Sequence, residues 1–183
     1  MYNINQYVIA EISDNDFKES FIPKNNIDKY CFRRASRGIL INGNKIAIIN
    51  VSKKKYHKLP GGGIEIGESN QTAFKREIKE ETGCDCRLLK NINQNSIVLE
   101  KREQYKFIQI SYVFFAKVIG RLQKTKFMVD EIDDGFELEW YSLSKAIKTL
   151  KNDKVNDYKT KFIQKRDIAI LNFYKTISLK KFQ

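Results

Sequence analysis

Cysteine and histidine are scarce in this sequence, and their scarcity argues against two kinds of stabilised fold. The 183 residues include three cysteines and one histidine. An odd number of cysteines does not form a disulfide framework, and this small set is a poor basis for a tetrahedral zinc site. We therefore expect reduced, structural thiols, no zinc, and a cytoplasmic protein.

Long apolar runs are missing as well. No stretch approaches the ~18 apolar residues that a membrane-spanning helix needs. The first residues, Met1–Gln6, lack the basic-then-apolar pattern of a secretory signal. Internal repeats and low-complexity segments are also absent from the sequence. These absences predict a chain without membrane contact that stays where it is made.

The composition is that of a globular chain with excess positive charge. Apolar residues make up 42% of the chain and charged residues 31%, and a chain of this length can bury a core unaided. The net charge of +12 fits either nucleic-acid or polyphosphate affinity, or a solvated lysine-rich surface. The lysines are scattered, which favours the second explanation, so nucleic acid is not the expected partner. A positive field would still attract an anionic nucleotide.

The pattern along the chain suggests three segments. Residues 1–31 are expected to be an N-terminal extension, with Ser13 as a possible cap of a short helix that stops near Pro23. Residues 32–150 are expected to form the main domain. Residues 151–183 are expected to be a helical appendage outside the chemistry, whose apolar stripe packs on the core or in a homodimer.

Strands and helices mix without regular alternation in the main domain. Asn42–Asn44 separates two apolar runs and predicts a hairpin. Residues 108–118 alternate as a strand does, residues 135–141 read as another strand, and a helix follows from Ser142 or Ser144 to Leu150. This order predicts a mixed α/β (α+β) fold, with helices on both faces of a mixed sheet.

One stretch carries chemistry. Residues 59–68 are a glycine-rich loop, and Ser69 and Gly83 are suited to cap and end a helix between them. That helix places Glu77, Glu80 and Glu81 at i, i+3 and i+4, on one face. Three repelling carboxylates suit a bound hard cation such as Mg²⁺, although an acidic solvated face is the alternative.

The whole stretch resembles the box of the Nudix hydrolase superfamily. The matching positions are Gly62, Glu68, Arg76, Glu77, Ile78, Glu80, Glu81, Gly83 and Cys84, of which only Cys84 departs mildly from the usual aliphatic residue. The Leu59–Gly63 lead-in and the Glu139-Trp140 strand extend the likeness over roughly residues 32–150.

The resemblance implies an α/β/α sandwich around a mixed sheet and hydrolysis of a nucleoside diphosphate linked to another group. Mg²⁺, or Mn²⁺ in its place, would be held by Glu77, Glu80 and Glu81 with the carbonyl of Gly61. The same resemblance implies that Glu68 pairs with Arg76, which supports the site together with Gly62 and Gly83.

The proton acceptor and the substrate contacts stay open at this stage. Glu80 or Glu81 could take a proton from water, and so could Glu131 in the acidic loop 130–134. Tyr56 and His57 could stack on a nucleobase, although packing or exposure is the simpler explanation. Three arginines, of which alternation must send some to solvent, could reach phosphates: Arg33, Arg34 and Arg37.

The expected function is therefore a pyrophosphohydrolase that acts on a small-molecule nucleotide. A nucleoside triphosphate or related nucleotide is the leading substrate class, and a nucleotide sugar or ADP-ribose is the alternative. A non-catalytic ligand-binding or nucleic-acid-binding module is less favoured because every box glutamate is present.

Overall fold

The computed structural model describes residues 7–17, 29–89 and 96–179. Within these ranges the chain forms nine strands and four α-helices. The strands are β1 (Tyr7–Ser13), β2 (Cys31–Asn42), β3 (Lys45–Val51), β4 (Tyr56–Lys58), β5 (Gly61–Gly63), β6 (Asp85–Leu88), β7 (Ser96–Arg102), β8 (Phe107–Ile119) and β9 (Phe136–Tyr141). The helices are α1 (Asn70–Thr82), α2 (Val129–Asp133), α3 (Leu143–Asn152) and α4 (Tyr158–Leu179).

All nine strands belong to one mixed sheet. Its main path runs β1-β7-β8-β2-β3-β4, with β5 paired to β2, β6 to β8 and β9 to β3. The long central pair, β2 with β8, is parallel, and so is β1 with β7. The remaining pairs are antiparallel. The predicted mixed sheet is confirmed.

Helices cover both faces of this sheet because successive strand residues point to opposite sides. On one side Leu40 packs with Phe74 and Ile78 of α1. On the other, Ile39 lies in a cluster with Leu150 of α3 and with α4. The resulting three layers confirm the expected α/β/α sandwich and place α1 and α4 on opposite sides of β2.

The hairpin and the helix caps predicted in the central segment are present in the structure. β2 and β3 form the hairpin, in which Asn42 pairs with Lys45. Helix α1 begins after Ser69, whose side chain accepts a hydrogen bond from the Thr72 amide, and ends at Gly83 in the left-handed conformation. Ser142 caps α3 in the same way.

Four segments differ from their predicted form. The acidic segment expected as a loop contains the short helix α2, and the glycine-rich loop contains strand β5. The helix expected after Ser13 is a single 3-10 turn, Asp14–Asp16, and Pro23 lies outside the described residues. Within the segment expected as an extension, β1 pairs with β7 and joins the sheet.

The described residues contain no helix that is long and apolar enough to cross a membrane. The thiols of Cys31, Cys84 and Cys86 are free.

Candidate active site

Helix α1 is held in one rotation by its apolar side. Ala73, Phe74 and Ile78 are fully buried against the sheet. The helical repeat then turns Glu77 and Glu81 toward the glycine-rich strand β5, where both are buried. The spacing of these residues therefore brings carboxylates under a backbone that has no side chains.

Arg76 joins the carboxylates to the glycine-rich strand. It donates to Glu68 from Nε (3.1 Å) and Nη2 (3.1 Å), to Glu77 (2.8 Å) and Glu80 (3.0 Å) from Nη1, and to the Gly63 carbonyl (2.9 Å). These hydrogen bonds lower the pKa of Glu68 below its usual value. The pair expected between Glu68 and Arg76 is present, and the same guanidinium also organises two of the box glutamates.

Glu81 is held on the other side of the cluster. Its Oε1 accepts from Lys58 Nζ (2.7 Å) and its Oε2 accepts from the Gly61 amide (2.7 Å). The structure thus directs the Gly61 N–H, rather than its carbonyl, at Glu81. Gly61 has a φ of 133°, a conformation that side chains rarely adopt.

Glu77 lies directly against the backbone of Gly62. A Cβ at Gly62 would stand 2.5 Å from Glu77 Oε1, so only glycine allows this approach. Burial, together with the charge of Glu81, raises the pKa of Glu77 to about 7 although Arg76 partly offsets the effect. Glu77 is thus a carboxylate whose charge is poorly compensated by the protein alone.

The donor set suits a hard divalent cation. It consists of carboxylate oxygens beside exposed backbone groups, the ligands that Mg²⁺ prefers. As placed in the described part of the chain, no three acidic, histidine or cysteine side chains converge on one point, since Arg76 and Lys58 occupy the carboxylates. The residues nevertheless fit a cation in their chemistry, because the carboxylates of Glu77 and Glu80 line the cavity beside the backbone of Gly61–Gly63.

A cavity of about 460 Å³ opens beside this cluster, and its lining contains both acidic and basic side chains. Glu77, Glu80 and Glu131 are among the acidic ones. Glu131 Oε2 accepts from the Met128 amide (2.9 Å), and burial raises the pKa of Glu131, an effect increased by the charge of Glu81. The cavity therefore brings Glu131, one of the candidate proton acceptors, into one space with Glu77 and Glu80, whereas Glu81 is not among its lining residues.

Arginines line the deep side of the cavity. We call Arg37, Arg102 and Arg166 the arginine floor; their exposed fractions are 4%, 6% and 2%. Two other cations, Arg33 and Lys159, line the cavity beside them. Each of these two has its pKa lowered by burial and by neighbouring cations.

Two fully buried carboxylates lie among these arginines. Glu100 accepts from Arg102 Nη2 (2.6 Å), from Gln109 Nε2 (2.6 Å) and from Arg166 Nη1 (3.4 Å). Asp167 accepts from Arg166 Nε (2.7 Å) and, through its other oxygen, from the Leu59 amide (2.9 Å). The sequence reasoning missed these two residues, which β7 and α4 place behind the arginines that line the cavity.

The substrate contacts expected from the sequence are divided by strand alternation. Tyr56 lines the cavity and is nearly buried, and burial raises its pKa to about 12. His57 points away, with its Nδ1 2.9 Å from Asp153 Oδ1. Arg34 also lies outside the cavity lining and donates to Asn70 Oδ1 (2.6 Å).

Two named proteins are similar to this chain in sequence. A Methanocaldococcus jannaschii protein named "ADP-ribose pyrophosphatase" is 33% identical over 135 residues, which cover 70% of this chain and 75% of that protein. The Caenorhabditis elegans protein named "Putative nudix hydrolase 1" is 30% identical over 112 residues, or 61% of this chain and 26% of that protein. The matched region thus spans about a quarter of the nematode protein's length.

Solved structures agree on the fold. A NUDIX family hydrolase from Clostridium perfringens superimposes with a TM-score of 0.51 at 20% identity, covering 78% of this chain and 97% of that one. A NUDIX hydrolase from Nitrosomonas europaea gives 0.56 at 16% identity, covering 79% and 88%. The sequence itself matches the NUDIX domain family over residues 32–164. The chain therefore belongs to the NUDIX domain family.

Proposed function

We propose that this chain is a Mg²⁺-dependent pyrophosphohydrolase that cleaves a nucleoside diphosphate linked to another moiety. A nucleoside triphosphate or related nucleotide is the preferred substrate class, and Mn²⁺ is expected to replace Mg²⁺. The observation that carries this proposal is that box glutamates and buried arginines line the same cavity. A cation at the carboxylates and an anionic chain at the arginines would satisfy both groups at once.

The box glutamates are the proposed metal ligands. Glu77, Glu80 and Glu81 would hold the ion, with the Gly61 carbonyl as a further oxygen donor. A bound Mg²⁺ neutralises diphosphate oxygens and lowers the pKa of a coordinated water. In the chain itself each of these carboxylates has a cation beside it, since Arg76 pairs with Glu77 and Glu80 and Lys58 pairs with Glu81.

Glu131 is the proposed proton acceptor. Glu80 and Glu81 each accept hydrogen bonds from a charged group, whereas Glu131 accepts one from a backbone amide. Its raised pKa makes it a better base than an ordinary carboxylate. In the reaction the water oxygen bonds to phosphorus, the bridging P–O bond breaks, and the water proton passes to Glu131.

The decisive experiment is a panel of nucleotides assayed for phosphate and pyrophosphate release with Mg²⁺ and with Mn²⁺. Glu81→Gln keeps the size of the side chain but removes a ligand charge, so turnover should fall by several orders of magnitude while the fold persists. Glu137→Gln is the matched control, because Glu137 lies on β9, is exposed and does not line the cavity. Near-normal turnover of Glu81→Gln in Mg²⁺ would contradict the ligand assignment.

ADP-ribose or a nucleotide sugar is the second candidate substrate class. The Methanocaldococcus jannaschii relative is named as an ADP-ribose pyrophosphatase, and at 33% identity a shared substrate is a reasonable hypothesis. The same panel separates the two classes by kcat/KM. A higher value for ADP-ribose than for every nucleoside triphosphate would favour this second candidate.

A further inference from the structure

The arginine floor holds more positive charge than the protein compensates. Glu100 and Asp167 are the buried carboxylates that pair with it, and they pair with Arg102 and Arg166. Among the described residues Arg37 has one hydrogen bond, from Nε to Ser111 Oγ (3.2 Å), and no carboxylate within 4.0 Å. A guanidinium that is 4% exposed thus has no direct ion pair, and Asp167 and Glu100 act on its charge only from a longer distance.

A second atom on the floor is also unsatisfied. Nε of Arg102 is buried and has no hydrogen-bond partner among the described residues. Burying a charge or a donor without a partner costs free energy that folding alone does not recover. Such groups are retained where a ligand supplies the missing partner, and both arginines face the cavity.

The neighbouring cations indicate the sign and the size of the ligand. Arg33 and Lys159 extend the positive surface from the floor toward the opening. Five cations around one part of a cavity suit a group with several anionic oxygens, and a guanidinium pairs well with phosphate oxygens. A neutral sugar would leave this charge uncompensated.

We propose that the arginine floor binds a phosphate group of the substrate that lies outside the bond being cleaved. This inference rests on the proposed function, in which the carboxylate side holds the scissile diphosphate. In a nucleoside triphosphate the floor would receive the terminal phosphate of the departing pyrophosphate. The floor therefore selects substrates whose leaving group carries its own anion over those that end in an uncharged sugar.

The first test measures binding of inorganic phosphate to the metal-free protein by calorimetry, with chloride at equal ionic strength as the reference. Arg37→Met should weaken phosphate binding about tenfold or more, because a charge-assisted contact is lost. Arg87→Met removes the same charge from an exposed position on β6 outside the cavity and should bind phosphate as the unmodified protein does. Equal affinities in the two variants would overturn the proposal.

Arg33→Met keeps the test decisive if Arg37→Met does not fold. Arg33 is solvent-accessible within the cavity, so its loss should leave the fold intact and still weaken phosphate binding. An Arg33→Met protein with unaltered phosphate affinity would count against the proposal in the same way.

The second test compares KM for a nucleoside triphosphate and for ADP-ribose in the full-length protein. Arg37→Met should raise KM for the triphosphate about tenfold and change KM for ADP-ribose little. An equal rise for both substrates would overturn the selectivity. If no substrate of the panel is hydrolysed, the proposed function is rejected. The phosphate site is still tested in that case, because calorimetry measures phosphate binding without turnover.

Discussion

Arg37 and Arg166 are both buried on the cavity floor, but their surroundings shift their pKa values in opposite directions. Arg166 pairs with Glu100 and Asp167, and these two acids together outweigh burial and raise its pKa. Arg37 has no such pair, and burial together with the charge of Arg166 lowers its pKa to about 10. A binding residue that opposes folding is the usual compromise at functional sites.

Removing these two charges should therefore change stability in opposite directions. In metal-free, phosphate-free buffer, Arg37→Met should raise Tm by about 2–4 °C, since an uncompensated buried charge is lost. Arg166→Met should lower Tm, since two buried carboxylates lose their partner. Thermal unfolding monitored by circular dichroism measures both shifts. A lower Tm for Arg37→Met would show that the chain compensates this charge itself.

Glu100 should make the free energy of unfolding depend on pH, because it pairs with two arginines of the floor. Burial alone would raise its pKa, but Arg166 and Arg102 outweigh burial and hold the pKa below its usual value. A depressed pKa in the folded state contributes stability above the unfolded value of ~4.3 and loses it as pH falls through the folded value. Glu100→Gln should therefore cost about 3–5 kcal/mol at neutral pH.

The difference in unfolding free energy between Glu100→Gln and the unmodified protein should shrink as the pH is lowered below ~4.3, because Glu100 then becomes protonated first in the unfolded chain and, at lower pH, in the folded protein. Urea titrations at several pH values measure it. A difference that stays constant down to the acid limit of folding would show that packing, rather than charge, makes Glu100 important.

Helix α4 supports the glycine-rich lead-in, Leu59–Gly63, through one side chain. Asp167 accepts the Leu59 amide at the start of the glycine-rich lead-in, 2.9 Å away, and the same carboxylate neutralises Arg166. Lys159 and Ile163 of this helix line the cavity itself. The segment predicted to be an appendage therefore contributes side chains to the cavity lining and supports the glycine-rich lead-in, and its distance from the chemistry stays a prediction.

Asp167→Ala should lower the unfolding free energy by about 3–5 kcal/mol, because it leaves a buried guanidinium and a buried amide unpaired. Asp167→Asn retains an acceptor for Leu59 and should cost less. Chemical denaturation of both variants measures the difference. Equal stability of the two variants would mean that the hydrogen bond to Leu59 contributes nothing.

Elements with local signals were predictable, and elements that depend on distant partners were not. Helix α1 follows from its cap, its apolar spacing and Gly83, all within a few residues. Strand β7 has no such signal, because its charged residue Glu100 becomes acceptable only beside arginines from β7 itself and from α4. Sequence alone cannot show that pairing.

One part of the missed site did leave a signal. The apolar stripe predicted on α4 passes from Ile163 to Ile170 and Leu171, and at helical spacing the same stripe includes Arg166 and Asp167. Two opposite charges on a core-facing stripe indicate a buried ion pair, which the structure contains. The apolar residues of the stripe predict the buried face of the helix, and the two charged residues among them indicate the ion pair beside the cavity.

Across the whole molecule, positive charge exceeds negative charge by 12, and the cavity concentrates part of that excess in the arginine floor. Surface lysines attract anions at long range through solvent, where salt screens them. Buried arginines act on a bound ligand across a short distance, where salt screens them far less. The two contributions should therefore separate when ionic strength is varied.

We expect kcat/KM for a nucleoside triphosphate to fall several-fold between low salt and ~0.15 M ionic strength, because encounter is steered by the long-range field. The value of kcat should change little, since the bound substrate lies within the cavity. Steady-state kinetics at saturating Mg²⁺, with sodium chloride as the varied salt, measures both constants. A single charge reversal on the outer surface, Arg87→Glu, should reduce the salt dependence only slightly, because it changes the net charge by two out of twelve.

A kcat/KM that is insensitive to salt would mean that the surface lysines have no part in substrate capture. The excess charge would then act on substrate only at the arginine floor.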